Sequence, residues 1–240
     1  MDISTWTRFS PKITVEYTTK KYYGKYLYKI IMYAPAGRII DGKNSDLAKA
    51  LEHRNYIANH IKYSWGAGSN YHRDLDKADV QFLQTLRHIK KNVAGIKMRI
   101  EEPRVQIYAA TEDELVNLVL DHLQPFRKYL ETVSGPENTE CAEILDSGAI
   151  LRKKNIGYTH KVLIRDGRYN PESKASILNY LESLGTNLIK VPQSGLDMLT
   201  KKSEYIWNLY FYTNDPSVLT FLNLIHPGLV LNCHELVVVE

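Results

Sequence analysis

Histidine and lysine are the residue types from which this chain could build a metal-independent RNA-cleaving site. Such a site needs a general base and a general acid beside one phosphodiester. His160 stands next to Lys161, and His72 lies in the segment 63–74, YSWGAGSNYHRD. Successive side chains of a regular strand point to opposite faces, which would keep His160 and Lys161 apart. RNA cleavage is therefore kept as an alternative function.

Other catalytic or metal-binding patterns are absent from the sequence. None of the eight histidines stands four residues from another with an acid between them, and Cys141 and Cys233 are isolated. P-loop, nucleophile-elbow and dinucleotide-binding patterns are also missing, and the Gly66-Ala67-Gly68 stretch is typical of a turn. We therefore predict no catalytic residue, no metal and no cofactor, and favour a non-enzymatic function.

The composition predicts a globular protein with only local basic clusters. The 240 residues are 44% hydrophobic, and a net charge of +4 excludes a strongly basic, tail-driven binder of polyanions. The two cysteines without partners predict a reducing compartment. Because the sequence also lacks a signal-peptide pattern and a long apolar run, we predict a cytoplasmic protein that does not enter a membrane.

Tyrosine is the most unusual component, with 17 copies against five phenylalanines and three tryptophans. Five of them lie in residues 20–33, KKYYGKYLYKIIMY. Alternation along a strand divides this stretch into an uncharged row and a lysine-containing row. The uncharged row is Tyr22, Tyr26, Tyr28, Ile30 and Met32; the other is Tyr23, Lys25, Leu27, Lys29, Ile31 and Tyr33. Because burying an unpaired lysine costs more than burying a tyrosine, Tyr26, Tyr28 and, by the same pattern, Tyr158 are predicted to face the core.

Two pairs of segments indicate an internal duplication. Residues 105–125 align without gaps with residues 207–227, which places Tyr108 on Tyr210 and Leu120 on Leu222. Residues 26–33 align with residues 158–165, which places Lys29 on Lys161. Both pairs occur in the same order, so we interpret the chain as two copies of one unit.

The elements of both copies fit the order βαββαβ. In the second copy they are strand 158–165, a helix that is capped by Ser173 and ends at Gly185, strands 187–192 and 204–212, helix 216–225 and strand 229–239. In the first copy they are strand 25–34, helix 45–62, an inserted helix near 76–91, strands 96–101 and 104–110, and helix 112–130, with Thr111 and Glu114 as a capping box. We therefore predict an α+β fold of two tandem ferredoxin-like units, with antiparallel sheets covered by helices on one face.

The predicted domain boundary is the acidic segment that separates the copies. The first unit is assigned to residues 1–135, with its insertion, and the second to residues 147–240, with residues 136–146 as an acidic linker. The alternative is that this segment is a surface loop within one continuous sheet.

The predicted binding surface is the sheet face that the helices leave open. The first and third strands are central neighbours in a ferredoxin-like sheet, so Lys29 should lie near Tyr108 and Lys161 near Tyr210, while Trp207, Leu209 and Phe211 face the core. A cation beside an exposed aromatic ring suits single-stranded nucleic acid. Together with two basic segments, 87–104 and 151–168, this gives the candidate contacts Lys25, Lys29, Tyr108, Arg152, Lys153, Lys154, Lys161, Arg165, Tyr210 and Tyr212.

This layout resembles that of RNA-recognition domains, although the basic-Gly-aromatic-Gly-aromatic string of that family is absent. It is also similar to tandem RNA-binding proteins that process CRISPR repeats, but the chain lacks their glycine-rich C-terminal loop and ends GLVLNCHELVVVE. No residue roles are carried over from either family. The leading hypothesis is a non-enzymatic protein that binds single-stranded DNA or RNA. The alternatives are an assembly protein whose tyrosine-rich faces contact a protein partner or a second copy, and the RNA endonuclease.

Overall fold

The chain has a mixed α+β structure whose described part contains two five-stranded sheets. The computed structural model describes residues 1–41, 49, 75–101 and 103–239, so the predicted helix 45–62 and the segment with His72 lie outside the described residues. The chain divides into two compact units, Met1–Ala142 and Glu143–Glu240. No helix in the described part is long and apolar enough to cross a membrane.

The first unit consists of one sheet and several helices. Its elements are α1 (Ile3–Phe9), β1 (Thr14–Tyr17), β2 (Tyr28–Tyr33), a 3₁₀ turn (Gly37–Asp41), α2 (Lys77–Asn92), β3 (Lys97–Glu101), β4 (Arg104–Ala109), α3 (Glu112–Leu118), β5 (Leu130–Gly135) and α4 (Thr139–Asp146), which continues into the second unit. The strand order is β1-β5-β2-β4-β3. All pairs are antiparallel except β1 with β5, a parallel edge pair that was not predicted from the sequence.

The helices of the first unit begin at the side chains that the sequence indicates. Thr111 caps α3 in a capping box with Glu114, as predicted, and Asp76 caps α2 in the same way with Asp79. The predicted helix 112–130 is wrong in its second half. The α-helix ends at Leu118 and continues as a π turn and then a 3₁₀ turn, because Pro125 has no N–H and its ring opens the hydrogen-bond ladder of the preceding turn.

The core of the first unit lies on one face of its sheet. Ile30 and Met32 of β2 and Ile107 of β4 are fully buried beneath α2 and α3. Tyr28 packs against this core and is half-buried, so the predicted direction of the uncharged row is confirmed from Tyr28 onward. Burial of these apolar side chains is the main stabilising contribution to the unit.

The second unit repeats this sheet arrangement. Its elements are β6 (Ile150–Arg152), β7 (His160–Ile164), β8 (Gly167–Arg168), α5 (Pro171–Ser183), β9 (Ile189–Lys190), α6 (Gln193–Thr200), β10 (Tyr205–Ile206), β11 (Tyr210–Thr213), α7 (Val218–Ile225) and β12 (Val230–Val238). The strand order is β6-β12-β7-β11-β9, with a parallel pair between β6 and β12 at one edge. Val162, Phe211 and Leu222 are fully buried between this sheet and its helices.

Several elements of the second unit differ from the prediction. Helix α5 is capped by Asn170, whose side chain accepts from the Ser173 amide, so the cap is not Ser173. The predicted strand 204–212 is interrupted at Asn208, which has a φ of +53° and separates β10 from β11. Trp207 is consequently 63% exposed, and its predicted place in the core is wrong. Helix α6 was not predicted.

The strand register corrects the alignment of the two copies. Lys29 of β2 lies opposite Tyr108 of β4, whereas Lys161 of β7 lies opposite Tyr212 of β11. The residue that corresponds to Tyr108 by register is therefore Tyr212, two positions beyond Tyr210. Burial in the helical segments that follow β4 and β11 supports this two-residue shift. Leu222 is fully buried, whereas Leu120, which the ungapped alignment places on Leu222, is 46% exposed.

Replacing Leu118 by Ala should destabilise the protein, and replacing Leu120 by Ala should not. Leu118 is 4% exposed, so Leu118→Ala leaves a cavity that costs about 2–5 kcal/mol in the free energy of unfolding. Leu120→Ala at an exposed position should change it by less than about 0.5 kcal/mol. Urea unfolding followed by circular dichroism measures both. Equal effects of the two substitutions would contradict the corrected register.

Candidate nucleic-acid interface

The helix-free face of the first sheet carries a polar row that includes Tyr108. The register places Glu16, Ser134, Lys29, Tyr108 and Lys97 side by side across the five strands. Lys29 therefore neighbours Tyr108, as predicted. Tyr108 is nevertheless only 3% exposed, so its predicted accessibility as a stacking surface is wrong.

A tight turn just before β2 covers Tyr108. Tyr23 and Gly24 have φ values of +54° and +68°, and the Lys25 amide donates to the Tyr22 carbonyl over 3.1 Å. Two consecutive positive φ values with this hydrogen bond are characteristic of a type I′ turn, which folds the chain back on itself. The turn carries the rings of Tyr22, Tyr23 and Tyr26 to within 5.3, 5.1 and 6.3 Å of the Tyr108 ring centroid.

The turn also corrects the prediction for Tyr26. Tyr26 is buried, as expected, but it is buried against Tyr108 on the helix-free face and not in the helix-covered core. The alternation of the predicted strand fails here because β2 begins only at Tyr28. We name Tyr22, Tyr23 and Tyr26 the tyrosine cover.

The cations of this first face are held by the cover and by nearby acids. The ammonium of Lys97 lies 3.8 Å from the Tyr23 ring centroid, and that of Lys29 lies 5.0 Å from the Tyr22 ring. Arg99 forms a salt bridge with Glu101, while Arg104 donates to Glu131 over 2.7 Å.

Burial, followed by the neighbouring Tyr23 hydroxyl, raises the pKa of Tyr108 well above its ordinary value. Its hydroxyl donates to Gln106. These contacts leave the Tyr108 ring inaccessible to a ligand.

The helix-free face of the second sheet is more open. Its central row consists of His234, Lys161, Tyr212 and Lys190, and the next row places Leu163 beside Tyr210. Lys161, Tyr210 and Tyr212 are all half-buried, and Lys190 is exposed. Among the described residues, the strand-paired positions of this face hold no Asp or Glu.

Cationic and aromatic groups are in direct contact on this second face. The Lys161 ammonium lies 3.9 Å from the Tyr210 ring centroid, so the predicted proximity of these two residues is confirmed. The residue directly opposite Lys161 on the neighbouring strand is nevertheless Tyr212. The Tyr210 and Tyr212 rings lie edge to face at 5.6 Å. The pKa of Tyr212 is raised, mainly by burial and to a smaller extent by the neighbouring Tyr210, while the positive charge of Arg152 lowers it. Tyr212 is therefore a neutral phenol at pH 7, with a cation on either side.

The remaining predicted contacts are distributed around these faces. Arg152 ends β6, and the exposed Lys153 and Lys154 follow it. Arg165 comes just after β7 and donates to the Gly228 carbonyl over 2.9 Å, away from the Lys161 row. Lys25 lies in the turn of the first unit, with its ammonium 5.2 Å from the Tyr26 ring.

Lys190 and His234 also belong to the second face, although the sequence did not predict them as contacts. Both belong to predicted strands, but the two-residue shift in register concealed that they share a row with Lys161 and Tyr212. His234 uses Nδ1 to donate to the Gly148 carbonyl over 2.8 Å.

The geometry gives no support to a catalytic pair at His160 and Lys161. His160 lies on the face of Val162, opposite Lys161, and its Nδ1 is 2.9 Å from the Thr159 hydroxyl. Within the described part of the chain, no group of three or more His, Cys, Asp or Glu side chains is arranged to bind a metal ion.

Comparison with known proteins supplies no relative: no protein-family model, no curated protein and no solved structure matches the chain. Any function must therefore be argued from the residues of this chain.

Opening the tyrosine cover should expose Tyr108. Tyr23→Asn keeps a residue that tolerates positive φ but removes the ring that packs edge-on against Tyr108. Nitration by tetranitromethane, mapped by mass spectrometry, should be slow at Tyr108 in the wild type and several-fold faster in the variant. Tyr17→Asn, at a 42% exposed position outside the cover, is the control. Equal rates in all three proteins would show that the cover does not protect Tyr108.

Proposed function

We propose that this protein binds single-stranded nucleic acid without cleaving it, through the helix-free face of its second unit. We name the contact surface, formed by Arg152, Lys161, Lys190, Tyr210 and Tyr212, the second-unit face. The observation that carries the proposal is the contact of Lys161 with Tyr210 in rows that also contain Tyr212 and Lys190. No acid occupies the described strand-paired positions beside them.

This combination fits the two recurring needs of single-strand binding. Half-exposed tyrosine rings offer surfaces on which bases stack, at about 1–3 kcal/mol per base, and this stacking tolerates any sequence. Lysine and arginine beside the rings neutralise phosphates and release counterions. Three cations of the second-unit face would give a slope of about −2 in log affinity against log salt.

We also propose that each unit is a ferredoxin-like domain with one added edge strand. Without β6, the second sheet has the order β12-β7-β11-β9, in which the first and third strands of a βαββαβ unit are central neighbours. Without β1, the first sheet has the equivalent order β5-β2-β4-β3. The parallel pairs β1–β5 and β6–β12 then occupy the same edge in both units.

The first unit is assigned a structural role in this proposal. Its corresponding tyrosine, Tyr108, is buried beneath the tyrosine cover, and Arg99 and Arg104 are paired with acids. Acid partners of this kind compete with a bound phosphate. We therefore expect the two units to differ in binding although their strand orders agree.

A protein partner is the second candidate, favoured by exposed apolar side chains of the second unit. Trp207 is 63% exposed beside Tyr205, with 5.7 Å between the ring centroids. Phe221 and Leu224 of α7 are 55% and 73% exposed. Aromatic residues are enriched in protein interfaces, so these side chains suit a partner chain or a second copy.

Charge reversal at equivalent positions of the two units tests the leading proposal. Lys161→Glu should weaken binding of a fluorescent single-stranded oligonucleotide by about tenfold and reduce the salt slope by about 1. Lys29→Glu, at the same strand position in the first unit, should leave both quantities unchanged. Fluorescence anisotropy at several salt concentrations, with DNA and with RNA, measures these effects. Equal losses in both variants, or no binding by the wild type at low salt, would contradict the proposal.

A further inference from the structure

A cavity of about 490 Å³ opens at the β9 edge of the second unit. Its walls are mainly apolar and come from α5, β9, α6 and the segments beside them. The wall includes Leu181, Glu182, Ile189, Lys190, Val191 and Leu196. Both its volume and its apolar lining with a few polar groups are typical of sites for small organic ligands.

Tyr158 connects this cavity with the second-unit face. Its ring lines the cavity and also lies 6.2 Å from the Tyr212 ring, with only 28° between the two planes. Its hydroxyl donates to the Thr186 carbonyl over 2.7 Å, which fixes the ring in this position. Tyr210, Tyr212 and Tyr158 therefore form a continuous series of aromatic rings that ends in the cavity wall.

Lys190 provides a second connection. It lies opposite Tyr212 in the sheet and also lines the cavity. A phosphate held by Lys190 on the second-unit face would therefore place its own base at the cavity mouth. Tyr158 itself was predicted to face the core. It is half-buried at the sheet edge, so that prediction is only partly correct.

The lining chemistry fits a nucleobase better than an aliphatic group. The flat ring of a nucleobase can pack against the Tyr158 ring and against the side chains of the lining leucines and isoleucine, Leu181, Leu196 and Ile189. Glu182 can only accept hydrogen bonds when it is ionised, and Lys190 can only donate them. The edge of a nucleobase presents donors and acceptors together, whereas an aliphatic side chain presents neither.

We propose that this cavity takes one nucleobase from a single strand that lies across Tyr210 and Tyr212. The inference rests on the proposed function, since the series of rings delivers a base only if a strand is bound on the second-unit face. It adds a site that distinguishes one nucleotide of the strand from its neighbours.

The inference is tested on the intact protein by measuring its affinity for a set of short oligonucleotides, each with one abasic nucleotide at a different position. One position should lose about fivefold or more in affinity relative to the other positions, because only there is a base removed from the cavity. Filling the cavity with Leu196→Trp should abolish this difference. Leu188→Trp, at a 38% exposed position outside the lining, should preserve it.

The possible outcomes separate this inference from the function on which it rests. An abasic effect that is uniform along a bound oligonucleotide would overturn the cavity assignment and leave the proposed function standing. A position-specific effect that survives in a correctly folded Leu196→Trp protein would place that base elsewhere and also overturn it. Absence of binding by every oligonucleotide would contradict the proposed function and the cavity assignment together.

Discussion

The cost of removing a lysine ammonium from water determines how each sheet of this protein is used. Ile30 and Met32 alternate with Lys29 on β2, and Val162 and Ile164 alternate with Lys161 on β7. Because neighbouring side chains point to opposite faces, burying one row beneath the helices leaves the lysine row on the other side. The helix-covered cores and the polar faces are therefore consequences of the same alternation.

The two units differ in how they treat the polar face that this alternation creates. In the first unit, a turn that requires two positive φ values folds three tyrosines over Tyr108, and acids pair with the nearby arginines. In the described part of the second unit, no pair of consecutive positive φ values precedes β7, and the corresponding Tyr212 is half-buried between Lys161 and Lys190. A local difference of a few residues thus converts a closed face into an accessible one.

The sequence predicts the class of fold and the central strands well, because hydrophobic alternation and capping residues are local signals. The proximity of Lys29 to Tyr108 and the cap at Thr111 follow from such signals and are present. The accessibility of Tyr108 could not be predicted, since it depends on a turn that reverses the chain before the strand begins. The pairing of Lys161 with Tyr212 was also missed, because an ungapped alignment cannot detect a two-residue shift between strands.

The most direct measurement is ultraviolet cross-linking of a single-stranded oligonucleotide that contains 5-bromouracil, with the cross-linked residues identified by mass spectrometry. Binding on the second-unit face predicts cross-links at Tyr210 and Tyr212, with none at Tyr22 or Tyr23. Cross-links confined to the first unit, or to Trp207 and its exposed surroundings, would contradict binding through that face.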